Sequence, residues 1–438
     1  MSILSKDEAQ AILKKALSFS KADECTVSLG GSEGGNIRYA RNSVSTAGDI
    51  SQMSLAVNSS FGKKSGVATV NQFDDASLAN VIKRAEELAK LAPENPEHMP
   101  LLGPQTYEQS GTYDVKTAAV DPEVRADAVA KSLAIAKEGK LEAAGFLENT
   151  TDFDAMMNSK GLYAYNRSTD VSFSVTMRNQ EGTGSGYSAA GFNDISKLDV
   201  SALTRKAALK ANGSANAKAI EPGKYTVILE PLAASDIIRG MFSGFDARSA
   251  DEGRSYMSKK GGGSRLGEQL FDEKITIYSD PLNPELPFST FTGDGRPQKK
   301  TVWVEKGVVK KLGYSRYWAE KKGVEPLPQA NRMIFEGGTA SLEDMIKNTE
   351  KGILVTRFYY IRNVDQQTML LTGLTRDGTF FIQNGKIQFP VKNFRFNESP
   401  VIMLNNVEEL GKPERSGGML VPPMKIRDFT FTSLSDAV

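Results

Sequence analysis

Apolar residues fall at helical spacing in a few windows of this chain and alternate with polar residues across much of the remainder. Ser5-Lys6-Asp7-Glu8 has the form of a capping box, a Ser that caps the first turn and a Glu three positions on that reaches back. Ala9, Ile12, Leu13, Ala16 and Leu17 then mark one face of a first helix. Strand-like runs follow at 25–29, 36–40, 52–57 and 66–70, with Gly30-Gly31 and Phe61-Gly62-Lys63-Lys64 expected as turns between them. Asp75 is expected to cap a second helix with Leu78, Ile82, Ala85, Leu88 and Ala89 on one face. Residues 91–113 are rich in Pro, Glu and Gly and read as a linker or a long surface connection.

Asp121-Pro122-Glu123 starts another helix, with Asp as cap and Pro at the first helical position, followed by Val124, Ala128, Leu133 and Ile135. Residues 142–150, 154–157 and 162–165 are strand-like, and Asn158-Ser159-Lys160-Gly161 is a hairpin signal. Val171, Phe173, Val175 and Met177 alternate with polar residues, the pattern of a half-buried strand. Leu203, Ala207, Ala208 and Leu209 mark a helix expected to stop at Gly213.

A strand at 225–229 then leads into a helix expected to start after Ser235 or Asp236, either of which can cap its free N–H groups. Ile237, Ile238, Met241, Phe242 and Phe245 give that helix a face expected to be buried, with Arg239, Gly240, Ser243 and Gly244 between them. Strands follow at 275–278, 301–305, 308–312, 352–361, 367–374, 378–383, 386–390 and 424–432, with a capped short helix after Ser341. Residues 399–406 fit a helix or a strand, and Asn384-Gly385 is the strongest hairpin signal in the chain. The expected fold class is α+β: small N-terminal α/β units followed by a large, mostly antiparallel β C-terminal domain. The expected domains are 1–105, 106–220 and 221–438.

Length and composition narrow the function classes. The 438 residues are too many for one ordinary domain. Lys plus Arg number 54 against 53 Asp plus Glu, a net charge of +1, so no nucleic-acid partner is expected. Cys25 is the one cysteine, which leaves no intrachain disulfide and fits a reducing compartment. The opening MSILSKDEAQ has no signal-like pattern and no apolar run reaches membrane-spanning length. A cytoplasmic location and no membrane partner are therefore expected. The single histidine, His98, lies in a Pro-punctuated stretch and reads as a loop residue, so no zinc site with two His ligands can come from this chain.

Other candidate chemistry resolves to plainer readings. Gly261-Gly262-Gly263-Ser264 lacks the order of a phosphate-binding loop and reads as a connection. Thr183-Gly184-Ser185-Gly186 lacks the flanking glycines of a nucleophile elbow and reads as a turn. Asp246, Asp251, Glu252, Asp272 and Glu273 do not fit an EF-hand and read as solvated charges. No cofactor is expected.

The C-terminal half carries a series of motifs in order: Leu266-Gly267-Glu268, then Asp294-Gly295-Arg296-Pro297 and Thr301 to Gly307, then Phe381 to Ile387 and Pro390-Val391-Lys392. With the stretch 224–281 they resemble the TldD/PmbA family, the modulator-of-gyrase or microcin-processing peptidase family. The net charge gives that gyrase name no support. Catalytic members of the family carry HExxxH on the helix after the 225–229 strand and a zinc-ligating Cys near the C-terminus. Here the motif positions are Arg239-Gly240-Met241-Phe242-Ser243-Gly244, and Gly417-Gly418-Met419-Leu420-Val421 stands in the C-terminal region. Arg and Gly can neither ligate zinc nor activate its water.

The pattern resembles the PmbA (TldE) branch, which lacks zinc. The resemblance implies a subunit without catalytic or metal-ligating residues, pairing with a zinc-bearing TldD-type chain or with itself and helping enclose unfolded peptide. A stand-alone binding or scaffold protein is the alternative. The candidate substrate- or partner-binding positions are Arg239, Gly240 and Gly244. Arg239 either grips a peptide carboxylate or a partner's acidic group with a two-pronged contact, or forms a structural ion pair with a nearby carboxylate.

Overall fold

The computed structural model describes residues 3–435. Its N-terminal half runs α1 (Lys6–Ser18), β1 (Glu24–Ala40), β2 (Ser43–Phe61), β3 (Lys64–Val70), α2 (Asp75–Leu91), α3 (Val115–Ala118), α4 (Pro122–Glu138), β4 (Leu141–Asn158), β5 (Tyr163–Asn179), β6 (Ser185–Phe192) and α5 (Val200–Gly213). All six strands form one antiparallel sheet in the order β3-β2-β1-β4-β5-β6. The segments 1–105 and 106–220 thus contribute strands to the same sheet.

Side chains alternate across a strand, so residues of one parity share a face. At one end of β1, Val27 and Leu29 pack with Leu13, Leu78 and Ile82 of α1 and α2. At the other end Ile37 and Tyr39 pack with Val129, Ala136, Ala207 and Ala211 of α4 and α5. Their shared odd numbering puts both helix pairs on one face. The opposite face is polar, with Ser32, Asn36, Glu148, Asp152, Asp170 and Ser172 along it.

Several local expectations need correction. Gly30-Gly31 is not a turn: β1 runs through it, paired on both sides. Further along, a Cβ at Gly34 would collide with the Asn149 carbonyl, so glycine there reflects close strand approach. Asp74, not Asp75, caps α2 by accepting from the Ser77 N–H at 3.0 Å. Leu88, Val124 and Leu209 are exposed, because the buried stripes run one or two positions away from them. Those of α4 and α5 are Arg125, Val129, Ser132, Ala136 and Val200, Thr204, Ala207, Ala211. By contrast, the Ser5 box, the Asp121 cap, the Asn158–Gly161 hairpin and the alternation along β5 all form as expected.

The C-terminal half begins with β7 (Gly223–Leu229), α6 (Pro231–Ile238), a 3₁₀ segment Arg239–Phe245 and α7 (Ala247–Asp251). It continues through β8 (Ile277–Ser279), β9 (Thr301–Glu305), β10 (Val308–Val309), α8 (Arg316–Lys322), β11 (Ile334–Phe335) and α9 (Leu342–Lys347). It ends with β12 (Lys351–Asp365), β13 (Leu370–Gln383), β14 (Lys386–Pro390), β15 (Phe394–Glu398), α10 (Pro400–Asn405), β16 (Val407–Leu410), β17 (Glu414–Ser416), β18 (Met419–Val421) and β19 (Met424–Leu434). The stretch 399–406 is therefore helical. Asn384 and Gly385 both take positive φ, 51° and 73°, as a two-residue hairpin turn requires.

The larger sheet runs β12-β7-β19-β15-β13-β14, and β12 also pairs with β13, which closes the first five strands into a barrel. Only its β12–β7 pair is parallel. Stacked rings of Phe358, Phe394, Phe396, Phe429 and Phe431 fill it. A second sheet runs β10-β9-β8-β11-β18-β17. The fold is thus the mixed α/β N-terminal region and largely β C-terminal region expected. The Pro-rich connection 92–113 is docked: Tyr107 donates to the Gly295 carbonyl at 2.7 Å and Ser110 to that of Pro281 at 2.6 Å.

The two halves are joined by a buried ion cluster. Glu230, at the end of β7, is bound by Lys210 at 2.6 Å and Lys206 at 3.2 Å, both on α5. Burial pushes the Glu230 carboxyl up, but the two ammonium groups outweigh it and hold it below the usual range. Removing one partner of such a cluster leaves the other charge buried and unpaired. Glu230→Ala is expected to lose about 3–5 kcal/mol in urea denaturation. The pair Glu230→Leu with Lys210→Met should recover part of that loss.

Candidate functional site

The Glu-Pro pair at 230–231 decides where α6 begins. Pro231 takes the first helical position, where a missing N–H costs nothing and the fixed φ suits the helix. The helix therefore starts before Ser235 and Asp236, and neither caps it. Ser235 instead donates back to the Leu232 carbonyl at 2.8 Å, and Asp236 accepts from the Phe358 N–H at 3.1 Å. After Ile238 the helix tightens into the 3₁₀ segment that carries Arg239, Gly240 and Gly244. Ile237, Ile238, Met241, Phe242 and Phe245 are buried as expected, against Phe335 and Trp303.

The three candidate residues have different surroundings. Gly244 is a packing glycine: a Cβ there would collide with the ring of fully buried Tyr256, whose hydroxyl donates to the Met241 carbonyl at 2.8 Å. Gly240 is exposed, and a Cβ would meet only the flexible end of Met369 at 3.2 Å. Arg239 has a side chain 59% exposed, and its ion pair with Asp236 is loose at 3.9 Å.

Arg239 stands on the rim of a cleft of about 490 Å³ between the polar face of the first sheet and the C-terminal half. Its charged lining is Arg239, Arg332, Arg357 and Arg415, with Asp170 and Asp236. Asp170 comes from β5, Arg357 from β12 and Arg415 from β17. Two sheet edges, β6 and β17, also border it, through Ala189 to Gly191 and through Arg415 and Ser416. The Gly417-Gly418 turn after β17 lies beside Arg239: a Cβ on Gly417 would sit 2.6 Å from its Nη2. The helix and C-terminal segments, far apart in sequence, thus meet at one place. Arg332, Arg357, Arg415 and Asp170 carry no sequence pattern that marks them, since each comes singly from a different segment.

The other sequence candidates lie outside the cleft lining. Ser185 donates to buried Asp377, which tethers β6 to β13. Gly261 to Gly263 close a turn between Ser258 and Ser264. Asp246 caps α7, Asp251 pairs with Lys322 at 3.0 Å, Glu252 with Arg254 and Asp272 with Lys274. His98 lies 3.3 Å from Glu24. Among the described residues, no group of three or more His, Cys, Asp or Glu is placed to hold a metal ion.

Burial raises the Asp236 carboxyl to about 6, against the opposing pull of Arg357, the Phe358 N–H and Arg239. Its folded pKa thus lies above the usual 3.8, so the ionised form opposes folding above pH 6 and protonation relieves this between about 6 and 4. Asp236→Asn is expected to be about 1–3 kcal/mol more stable than the parent at pH 7.5. That advantage should vanish as the pH falls to about 4 in thermal melts; a destabilised variant at pH 7.5 would contradict it. Gly244→Ala should lose about 1–3 kcal/mol and Gly240→Ala very little, again by melting.

Comparison with known proteins gives this geometry its context. Residues 222–433 match the family model of the PmbA/TldA metallopeptidase C-terminal domain, and residues 118–214 match that of its central domain. An uncharacterized protein of Methanocaldococcus jannaschii is 26% identical over 366 residues, covering 80% of this chain and 83% of that one. A protein of Methanothermobacter thermautotrophicus named a metalloprotease is 25% identical over 287 residues, covering 60% of this chain and 61% of its own length. The crystal structure of TldE from Thermococcus kodakarensis shares the fold with a TM-score of 0.87 at 19% identity, over 97% of this chain and 100% of that one. With both domains matched in order, and Arg239, Gly240 and Gly244 at the positions of HExxxH, the chain belongs to the TldD/PmbA family, associated with proteolysis, in a form without the zinc motif.

Proposed function

We propose that this chain is the non-catalytic, PmbA (TldE)-like subunit of a peptidase, pairing with a zinc-bearing TldD-type subunit and helping enclose unfolded peptide. The observation that carries this reading is the cleft rimmed by Arg239, with Gly240 and Gly244 outside its lining, bordered by the sheet edges β6 and β17. A sheet edge offers main-chain N–H and C=O groups that pair with an extended peptide whatever its side chains. A folded substrate has already used its own backbone groups, so such edges select unfolded ones. Arg and Gly at the motif positions leave the zinc-water route closed within this chain. Arg239, half out in solvent, then contacts substrate or the partner subunit.

Pairing is proposed to be a two-fold dimer through the C-terminal half, the commonest closed assembly. The proposed compartment is the cytoplasm, which suits a lone, buried Cys25. Among the described residues no helix is long and apolar enough to cross a membrane.

Reconstitution with a zinc-bearing relative from the same organism tests this. The purified chain should carry far less than one zinc per molecule by elemental analysis and cleave no peptide alone. The pair should cleave unfolded but not folded substrate, and Arg239→Ala should weaken assembly or cleavage at matched thermal stability. Chelator-sensitive cleavage by this chain alone would overturn the assignment. A monomer that captures no relative would favour the scaffold reading instead.

A further inference from the structure

The four arginines of the cleft divide into two kinds. Arg357 is fixed: it stacks over Tyr187 at 4.0 Å and its Nη1 lies 3.5 Å from Asp377. Arg415 is also fixed, donating to Asn193 at 2.8 Å and to the Glu285 carbonyl at 3.2 Å. The other two are exposed and make no hydrogen bond among the described residues, while the buried Nε of Arg357 also lacks a partner. Arg239 has only the 3.9 Å approach of Asp236. Arg332 is exposed and makes no hydrogen bond or ion pair among the described residues.

Both of these guanidinium groups converge on the Gly417-Gly418 turn. A Cβ on Gly417 would lie 2.6 Å from the Arg239 Nη2, and one on Gly418 3.1 Å from the Arg332 Nη1. Both glycines hold positive φ, 57° and 77°, as the two-residue turn between β17 and β18 demands. The turn therefore lets two guanidinium groups that make no hydrogen bond among the described residues flank one strip of backbone without side chains between them. Four guanidinium groups face two carboxylates here, Asp170 and Asp236. Arg332 and Arg415 both act on Asp170, which places these charges in one local field.

We propose that the Arg239–Gly417-Gly418–Arg332 corner binds a carboxylate of the peptide that the cleft takes. This rests on the peptide-enclosing reading and specifies it. A guanidinium donates two parallel N–H groups that match the spacing of carboxylate oxygens. The modest positive excess suits a singly charged ligand, and Asp170 and Asp236 oppose a more highly charged one. The adjoining edges of β6 and β17 take main chain, so an extended peptide can run along them and end with its carboxylate on the turn. The carboxylate is either the peptide's C-terminus or an acidic side chain.

The test uses the full chain and three labelled, unstructured peptides of one sequence: free C-terminal acid, C-terminal amide, and amide with one internal Glu. Binding is followed by fluorescence anisotropy at low and high salt, with this chain alone and with the reconstituted pair. The acid is expected to bind about tenfold or more tightly than the amide, with the difference reduced at high salt. Arg239→Gln and Arg332→Gln, both exposed positions, should erase that preference. If the internal Glu restores tight binding to the amide, the carboxylate is a side chain; if not, it is the C-terminus. Equal binding of all three peptides overturns carboxylate recognition and leaves peptide enclosure standing. No binding of any peptide, by the chain or by the pair, overturns both readings.

Discussion

The buried contact of Glu230 with Lys206 and Lys210 sets the geometry on which the cleft depends. Glu230 ends β7 and immediately precedes α6, while the two lysines stand one turn apart on α5. A carboxylate held there fixes the helix layer of the first sheet against the barrel and fixes where α6 leaves it. Thr356 adds a further donor to the same carboxylate at 3.3 Å, which brings in β12. An apolar cluster of the same volume would hold the halves together at least as strongly. The ion cluster adds direction, since Lys206 and Lys210 of α5 and Thr356 of β12 all donate to the one Glu230 carboxylate.

Everything on the cleft wall follows from that placement. Asp236 and Arg239 project from the end of α6 and the segment after it, and Arg357 from β12 beside Glu230. The first sheet contributes the polar face of β5 and β6, because its four main helices cover the other face. The tether of Ser185 to Asp377 holds β6 at the boundary as well, so its edge and that of β17 stay together. The cleft is thus built where the first sheet meets the C-terminal half, with the Gly417-Gly418 turn at its rim.

At this place α6 and the 3₁₀ segment after it keep an apolar, buried face, and the Gly417-Gly418 turn lies against Arg239. Arg239 is exposed on the cleft rim, Gly240 is exposed outside the lining, and Gly244 packs against the Tyr256 ring. The charged lining of the cleft, four arginines against two aspartates, carries a positive excess.

Much of the fold is legible in the sequence because it is set by short-range chemistry. The Ser5 and Ser341 boxes, the Asp121-Pro122 start, the Asn384-Gly385 turn and the alternation at 171–177 each depend on residues within a few positions of one another. The order of motifs in the C-terminal half, and Arg239, Gly240 and Gly244 in place of zinc-binding residues, are equally local. Where two local signals competed, the reading failed: Gly30-Gly31 looked like a turn until pairing with β2 and β4 held it extended, and Pro231 opened α6 before Ser235 could cap it. Arg332, Arg357, Arg415 and Asp170 had no local signal at all. Sequence alone decided most of the secondary elements, the family and the absence of the zinc motif, since these reside in neighbouring residues. Only the tertiary structure decided that four arginines and a glycine turn share one cleft, because their convergence depends on long-range strand pairing and on the buried Glu230 contact.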